Sequence, residues 1–417
     1  MKKMINLAGL AALSTLALAS AGVHAQQTIR MGALTTLEGP FAQAGQDGLR
    51  GVELALEEAG YKVAGKKIEL IKESSNAKPD VAVARTRKLI EQDKVDFVVG
   101  PLSGGEGLAV KDYANTVPGK TFLNGTSGAQ DTTLRNPAPN FFRFSTDGAQ
   151  WQAGLGSYAY DVKKYRNIAV ISEDYSFPYS QVMGFQLEYC ARGGKIAQKN
   201  WVPLGTKDYT SVIARLPQDV DAVYVLLGGS DAVNFFTQYY QSGGKANIIG
   251  GSVTVDQNVL STKGAFRNKM IGLISAGPIA DANPDPKWVA FVDAYKKKFP
   301  DGFSSPSLFA HGYYVNTKAA LLALEQVKGD LSDNQQKFQK ALASLTLDSP
   351  TGKVVLDENR QAIADNYVTE VVQGSNGSFQ NKLVKTAKAV PQSLGLPRDA
   401  FLKLGSASRD NPACTAQ

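Results

Sequence analysis

The chain has 417 residues, 43% of them apolar and 20% charged, with a net charge of +7. That length exceeds one compact core, so two domains are expected, and the composition is that of a folded globular protein rather than a disordered or fibrous one. The positive charge is dispersed, with no aromatic-interleaved basic stripe, which argues against nucleic acid as a partner; the densest run, Lys296, Lys297 and Lys298, reads as the solvated face of an amphipathic helix.

The N-terminus reads as a signal peptide over residues 1–25. Lys2 and Lys3 precede an apolar run over 7–19, and Val23, His24 and Ala25 form an A-x-A-like cleavage site. Cleavage near Ala25 would leave a chain that starts near Gln26. The apolar run is too short for a membrane anchor, and no later run approaches a span, so an exported, soluble protein is expected. Export into an oxidising compartment makes a disulfide between Cys190 and Cys414 the expected state, with two unpaired thiols as the alternative.

A strand over 28–34 opens the expected mature chain. Glu38, Gly39 and Pro40 make a turn, and Leu49, Val52, Leu56 and Ala59 then fall at helical spacing until Gly60. A strand over 67–72 and a helix carrying Val81, Ala84, Leu89 and Ile90 follow. Two buried strands, 95–100 and 121–124, each run into a loop of Gly, Ser and Thr, the first leading to a helix at about Glu106. Such loops turn backbone N–H groups toward one point, and a helix N-terminus adds its dipole. Side by side they make a socket for an anionic or strongly polar group; ordinary strand-to-helix turns are the alternative reading.

At about 144–149 the rhythm restarts. A helix with Trp151, Leu155 and Tyr158 precedes a strand over 167–172, the run SEDYSFPYS and a helix with Val182, Phe185 and Tyr189. Strands over 197–202, 222–227 and 247–250 alternate with helices over 209–216 and 232–241. A strand over 270–276 introduces an apparent return, with helices around Trp288 and Phe291, over 306–328, and around Phe338 and Leu342. Turn and strand over 348–356 lead to a hairpin with strands over 367–372 and 379–384. The fold class is α/β, with mainly parallel sheets in two lobes.

In open α/β sheets ligands bind beyond the carboxyl ends of strands. Those ends carry Gly39, Pro40 and Phe41; Ser103 and Gly104; Thr126, Ser127 and Gly128; Tyr175 to Tyr179; Ser230 and Asp231; and Ser252. Phe41, Tyr175, Phe177 and Tyr179 are candidates for the wall of a cleft between facing loop sets, or pack as ordinary core and surface residues. Catalysis finds little support. His311 is the one histidine of the expected mature chain and sits in an apolar helix, G-x-S-x-G is absent, and no His/Cys cluster has metal-ligand spacing. The run from Gly60 to Lys66 fits G-x-x-x-x-G-K, but it leaves a helix and enters a strand, the reverse of a phosphate loop. No cofactor is expected.

With these residues in place the chain resembles the periplasmic solute-binding proteins of ABC importers, of the branched-chain amino-acid-binding type. The motifs that carry the resemblance are GALTTLEGPFAQAGQDGLRGVELALEE, VDFVVGPLSGGEGLAV, FLNGTSGAQDTTL, NIAVISEDYSFPYS and DAVYVLLGGSDAV, in that order behind the signal peptide. The resemblance implies a type I periplasmic binding fold, with two Rossmann-like lobes joined by three hinge crossovers near Thr146, Ala276 and Thr351. The first lobe would take 26–146 and 276–351, the second 147–275 and 352–390, and a tail 391–417. It also implies a periplasmic, monomeric protein that closes on a small molecule and delivers it to a membrane permease and ATPase complex. A ligand sensor or an exported hydrolase on the same two lobes are the rival functions.

The resemblance assigns Ser103, Gly104, Thr126, Ser127 and Gly128 to a ligand carboxylate. Ser230 and Ser252 align where amino-acid binders carry a tyrosine and the acid that holds the ligand ammonium. Neither serine supplies a charge, and a buried ammonium without one is costly. The reading therefore leans toward a carboxylate without an amine, an aromatic or short aliphatic acid. An amino acid or amide held by Asp231 or Glu106 is the alternative.

Overall fold

The computed structural model describes residues 28–375 and 377–414. The expected signal peptide and its cleavage site lie outside them. Among the described residues no helix is long and apolar enough to cross a membrane.

Alternation of buried strands with amphipathic helices produces two sheets. The first holds β1 (Ile29–Thr36), β2 (Lys62–Val63), β3 (Lys66–Ser75), β4 (Phe97–Val99), β5 (Thr121–Leu123) and β6 (Phe141–Phe142), in the order β2-β3-β1-β4-β5-β6. All its pairings are parallel except β2 with β3. The second holds β7 (Asn167–Glu173), β8 (Lys195–Val202), β9 (Ala222–Leu226), β10 (Asn247–Gly250), β11 (Ile274–Gly277), β12 (Leu347–Ser349), β13 (Gly352–Leu356), β14 (Ala362–Gln373) and β15 (Phe379–Val390). Strands β8-β7-β9-β10-β11 run parallel, and β14 joins β11 antiparallel with β15 and β13 beside it. This is the expected α/β class, with mostly parallel sheets in two lobes.

The helices cover both faces of each sheet, as parallel strands require. They are α1 (Ala42–Glu58), α2 (Pro79–Arg87), α3 (Gly104–Ala114), α4 (Leu155–Asp161), α5 (Ser176–Ala191), α6 (Thr210–Ala214), α7 (Gly229–Gln241), α8 (Gln257–Leu260), α9 (Pro286–Lys298), α10 (Leu308–Gln326), α11 (Gln336–Ala343) and α12 (Arg398–Lys403). Helices α9, α10 and α11 return to the first sheet: Trp288, Tyr313 and Phe338 share one core with Met31, Leu49 and Phe97. Helices α1 and α10 touch backbone to side chain. A Cβ on Gly51 would fall 2.0 Å from the Ala310 carbonyl, and one on Gly48 2.8 Å from the Tyr313 ring, so glycine is required where they cross.

Several elements differ from the sequence reading. Trp151 lies in a 3₁₀ turn, Gln150–Gln152, apart from α4. The strand expected over 270–276 starts at Ile274, because Gly272 takes a positive φ of 85° after a 3₁₀ turn, Ala265–Met270. The hairpin strands β14 and β15 are each 12 residues long; their polar outer positions gave no apolar signal to extend them. The short strands β2 and β6 were not anticipated. Cys190 and Cys414 form a disulfide that fastens the C-terminal tail to α5.

Near the crossovers, polar side chains are buried and satisfied by one another. Arg143 is fully buried and donates to the carbonyls of Ser127 (3.1 Å) and Ala129 (2.8 Å) and to Gln361. Gln361 donates to Gln150 (2.9 Å), which donates to the carbonyls of Ala362 and Val390, both at 2.8 Å. This network ties the loop after β5 to the start of β14.

Candidate functional site

The loop after β4 ends in Ser103, the N-cap of α3. Its hydroxyl accepts from the Glu106 amide (3.4 Å) and its own amide donates to Glu106 Oε2 (3.0 Å), a capping box. The loop after β5 is tied to it: the Thr126 amide donates to the Pro101 carbonyl (3.2 Å) and its hydroxyl to the Leu102 carbonyl (3.3 Å). The amides of Gly104, Gly105, Ser127 and Gly128 have no acceptor among the described residues. Two of them are the first amides of α3, which helix geometry leaves without partners.

These loops form one wall of a small cavity between the lobes. On the first lobe it is lined by Phe41, Ser103, Gly104, Thr126, Gly128 and Phe309; on the second by Trp151, Tyr175, Phe177 and Val253. The Trp151 Nε1 donates to the Thr146 hydroxyl (2.8 Å), and the Trp151 and Phe177 rings meet edge to face at 5.4 Å. The lobes are in tight contact here. A Cβ on Gly104 would fall 2.7 Å from the Phe177 Cβ, and one on Gly128 2.6 Å from its ring. Across the cleft, a Cβ on Gly228 would fall 2.8 Å from Phe41. Phe177 and Val253 accordingly join the core of the first lobe.

Of the residues singled out in the sequence, Phe41, Ser103, Gly104, Thr126, Gly128, Tyr175 and Phe177 thus meet in one place. Others point elsewhere. The Ser127 side chain is turned onto α3, where a Cβ on Gly107 would fall 1.7 Å from its Oγ. Ser230 is exposed on α7 and its hydroxyl donates to Asp231 (3.4 Å). Ser252 is buried away from the cavity and accepts from Gln181 (2.6 Å). Asp231 is buried and accepts from the Gly205 amide (2.6 Å). Tyr179 packs on Trp201 at 4.9 Å and bonds Asp174 at the surface. Trp151, Phe309 and Val253 were not anticipated as wall residues.

Three buried carboxyls lie around Tyr175, one of the residues of the cavity wall. Glu173 closes β7, is fully buried, and its Oε1 accepts from the Gly228 amide (2.9 Å). The sequence reading missed it; an acid ending an otherwise buried apolar strand was the available signal. Burial, then the charge of Asp231, push its carboxyl well above the usual range. Burial also raises Glu106, against hydrogen bonds from Ser75, Ser103 and Thr36. Asp231 is pushed up to about 6 by burial. Tyr175 sits among all three, and burial and their charges raise its hydroxyl well above its usual value. His311 is buried, which lowers its pKa to about 3, and its Nε2 faces the Thr351 hydroxyl at 3.1 Å. Among the described residues no His, Cys, Asp and Glu cluster is arranged for a metal.

A family model described as periplasmic binding protein matches residues 28–377. The chain belongs to the periplasmic binding protein family. Among curated relatives of this family, a Leu/Ile/Val-binding protein homolog 6 of Brucella melitensis is 24% identical over 385 residues, 90% of this chain and 96% of the relative. A homolog 7 of Brucella abortus is 28% identical over 336 residues, 77% of this chain and 82% of the relative. Among solved structures, an ABC transporter substrate-binding protein from Sphaerobacter thermophilus is 28% identical with a TM-score of 0.78, over 87% of this chain and 98% of that one. A solute-binding protein of an ABC transporter from Rhodopseudomonas palustris, in complex with 3,4-dihydroxybenzoic acid, is 25% identical with a TM-score of 0.80, over 88% and 98%.

Proposed function

We propose that this protein is the periplasmic solute-binding component of an ABC importer, and that it captures a small carboxylate-bearing solute, an aromatic acid foremost, between its lobes. The observation that carries the reading is the pairing of the two loops, whose amides lack acceptors, with an aromatic wall supplied by the other lobe. The amides take the carboxylate; Phe41, Trp151, Phe177 and Phe309 take the ring. The dihydroxybenzoate complex of the Rhodopseudomonas protein supports the same class. The lean against an amine loses one of its grounds, since neither Ser230 nor Ser252 lines the cavity.

Burying an aromatic ring of about 150–250 Å² at about 25 cal/mol per Å² gives about 4–6 kcal/mol. A micromolar complex needs about 8 kcal/mol, and association itself is costly. Ring burial alone therefore falls short, and the charge-assisted hydrogen bonds from the loop amides, about 1.5–3 kcal/mol each, decide whether the solute binds. The solute docks on the first lobe and the second swings over it about the three crossovers. It shifts the equilibrium to the closed form because Tyr175 and Phe177 reach it only there. A permease reads the closed form and receives the solute.

Calorimetric titration of Phe177→Ala tests the reading. Affinity for an aromatic acid falls about tenfold or more, from lost ring contact, and by more than affinity for a short aliphatic acid. Equal losses for both would remove the aromatic wall from the ligand site.

A further inference from the structure

Beyond β15 the tail, 391–414, is bound to both lobes. Its far end belongs to the second. Cys414 is joined to Cys190 on α5, the Gln186 side chain donates to the Pro412 carbonyl, and Arg409 Nε donates to Asp174 (2.8 Å). Its near end is held by the loop after β5, in the first lobe, and by the first crossover. Gln392 is buried, and its Nε2 donates to Asp147 (2.9 Å) and to the Thr133 hydroxyl (3.1 Å). Arg135 donates to the Leu402 carbonyl (3.1 Å). Between the two ends, Phe401 of α12 has no solvent exposure and forms a core with Leu134 of the first lobe and Met183 of the second. That core continues a seam between the lobes that begins at the cavity. Along α5, Phe177 meets Gly128, the Ser180 hydroxyl accepts from the Gln130 amide (3.1 Å), and Met183 shares its core with Leu134 and Phe401.

We propose that the C-terminal tail is a strap across the hinge that restrains the two lobes from opening. The disulfide keeps the strap on α5. Opening along the seam therefore draws Leu134 away from Phe401 and Arg135 away from the Leu402 carbonyl, and it exposes apolar surface that the closed form buries. A solute closes the lobes only through its differential affinity for the closed form. The strap raises the closed population beforehand, so the same contacts in the cleft give tighter binding. This holds whichever solute the cleft takes.

The test measures the distance between the lobes in the full, ligand-stripped protein with no solute added. Spin labels are carried by Gln46→Cys and Gln241→Cys, exposed positions on α1 and α7, the helices that meet across the cleft mouth. Such a pair does not sense fraying of the tail itself. Phe401→Ala shifts the pulsed-resonance distance distribution to longer values, and Phe401→Leu, which keeps an apolar side chain, shifts it less. Arg135→Ala removes one contact of the strap from a half-buried position and shifts it in the same direction, so it carries the test if Phe401→Ala fails to fold. Cys190→Ser with Cys414→Ser releases the far anchor and does the same. Distributions that coincide with wild type in the folded variants overturn the strap, and they leave the tail as a cover of α5 that adds stability without governing the lobes.

Discussion

Asp256 of the second lobe accepts a hydrogen bond from the backbone amide of Leu308 in the first, at 2.8 Å. The same carboxyl accepts from the Asn258 amide at 3.1 Å, so it caps α8 while taking the first amide of α10, whose own N-cap is Ser307. Gln257 extends the link, accepting from the Ser304 hydroxyl (3.1 Å) and donating to Asp281 (2.7 Å). Leu308 precedes Phe309, a wall residue of the cavity, and Val253 lies three residues before Asp256. The lobes are thus latched beside the site.

The Asp256 carboxyl makes folding stability depend on pH. Burial first, then the charges of Asp281 and Asp47, hold the Asp256 carboxyl up at about 8 against the hydrogen bonds that favour its ionised form. The folded protein therefore binds this proton more tightly than the unfolded chain does. The resulting stability is complete below the unfolded value of about 4 and is lost as pH rises through 8. Asp231 and Asp281, each raised to about 6, have largely titrated by then. Between pH 6.5 and 8 Asp256 should contribute a loss of stability of up to about 1.4 kcal/mol per pH unit; Glu173, also held well above the usual range by burial, adds to the slope where it titrates, and Asp256→Asn should remove the Asp256 share. Urea midpoints across this window give the answer; parallel slopes would be inconsistent with it.

Gly104 sets how closely the lobes approach. A methyl there meets the Phe177 Cβ, which cannot swing away as a ring tip does. Within its own lobe the added methyl meets the Ala129 Cβ at 3.2 Å, so Gly104→Ala should cost the unliganded protein about 1 kcal/mol at most. It should also keep the scattering radius at the open value when solute is added. Compaction equal to wild type would show that Phe177 does not gauge closure.

The tail is held by Cys190–Cys414 and by Arg409, which pairs with Asp174. Replacing both cysteines by serine should lower unfolding free energy by about 2–4 kcal/mol, through the unfolded chain and the freed tail. Denaturant midpoints with and without reductant read it; the double variant should no longer respond to reductant.

Much of the fold was legible because its signals are local. Strands such as β9, apolar at every position, and helices with one apolar face announce themselves, and the glycine-rich loops after β4 and β5 mark the strand ends that face the cleft. Side-chain direction within those loops was not legible. Ser127 and Gly128 are neighbours, yet one packs on α3 and the other faces Phe177. Ser252 and Asp231 lie at strand ends but are engaged by Gln181 and Gly205. Trp151 and Phe309 come to the wall from a 3₁₀ turn and a helix start distant in sequence, which only tertiary contact brings together. Glu173 was hidden because an acid at the end of a buried strand carries no periodicity.

The most direct test of the central claim is a thermal-shift titration of refolded, ligand-stripped protein. The panel holds benzoates, phenylpropanoates, short aliphatic acids, branched-chain and aromatic amino acids, simple amides and urea. Binding to the native state raises the midpoint by mass action, by about 2.7 kcal/mol of stability at a hundred times Kd. The account predicts that at least one small carboxylate, aromatic acids foremost, raises the midpoint, and that amides and urea do not. A midpoint raised by an uncharged amide or urea, with every carboxylate silent, would contradict it.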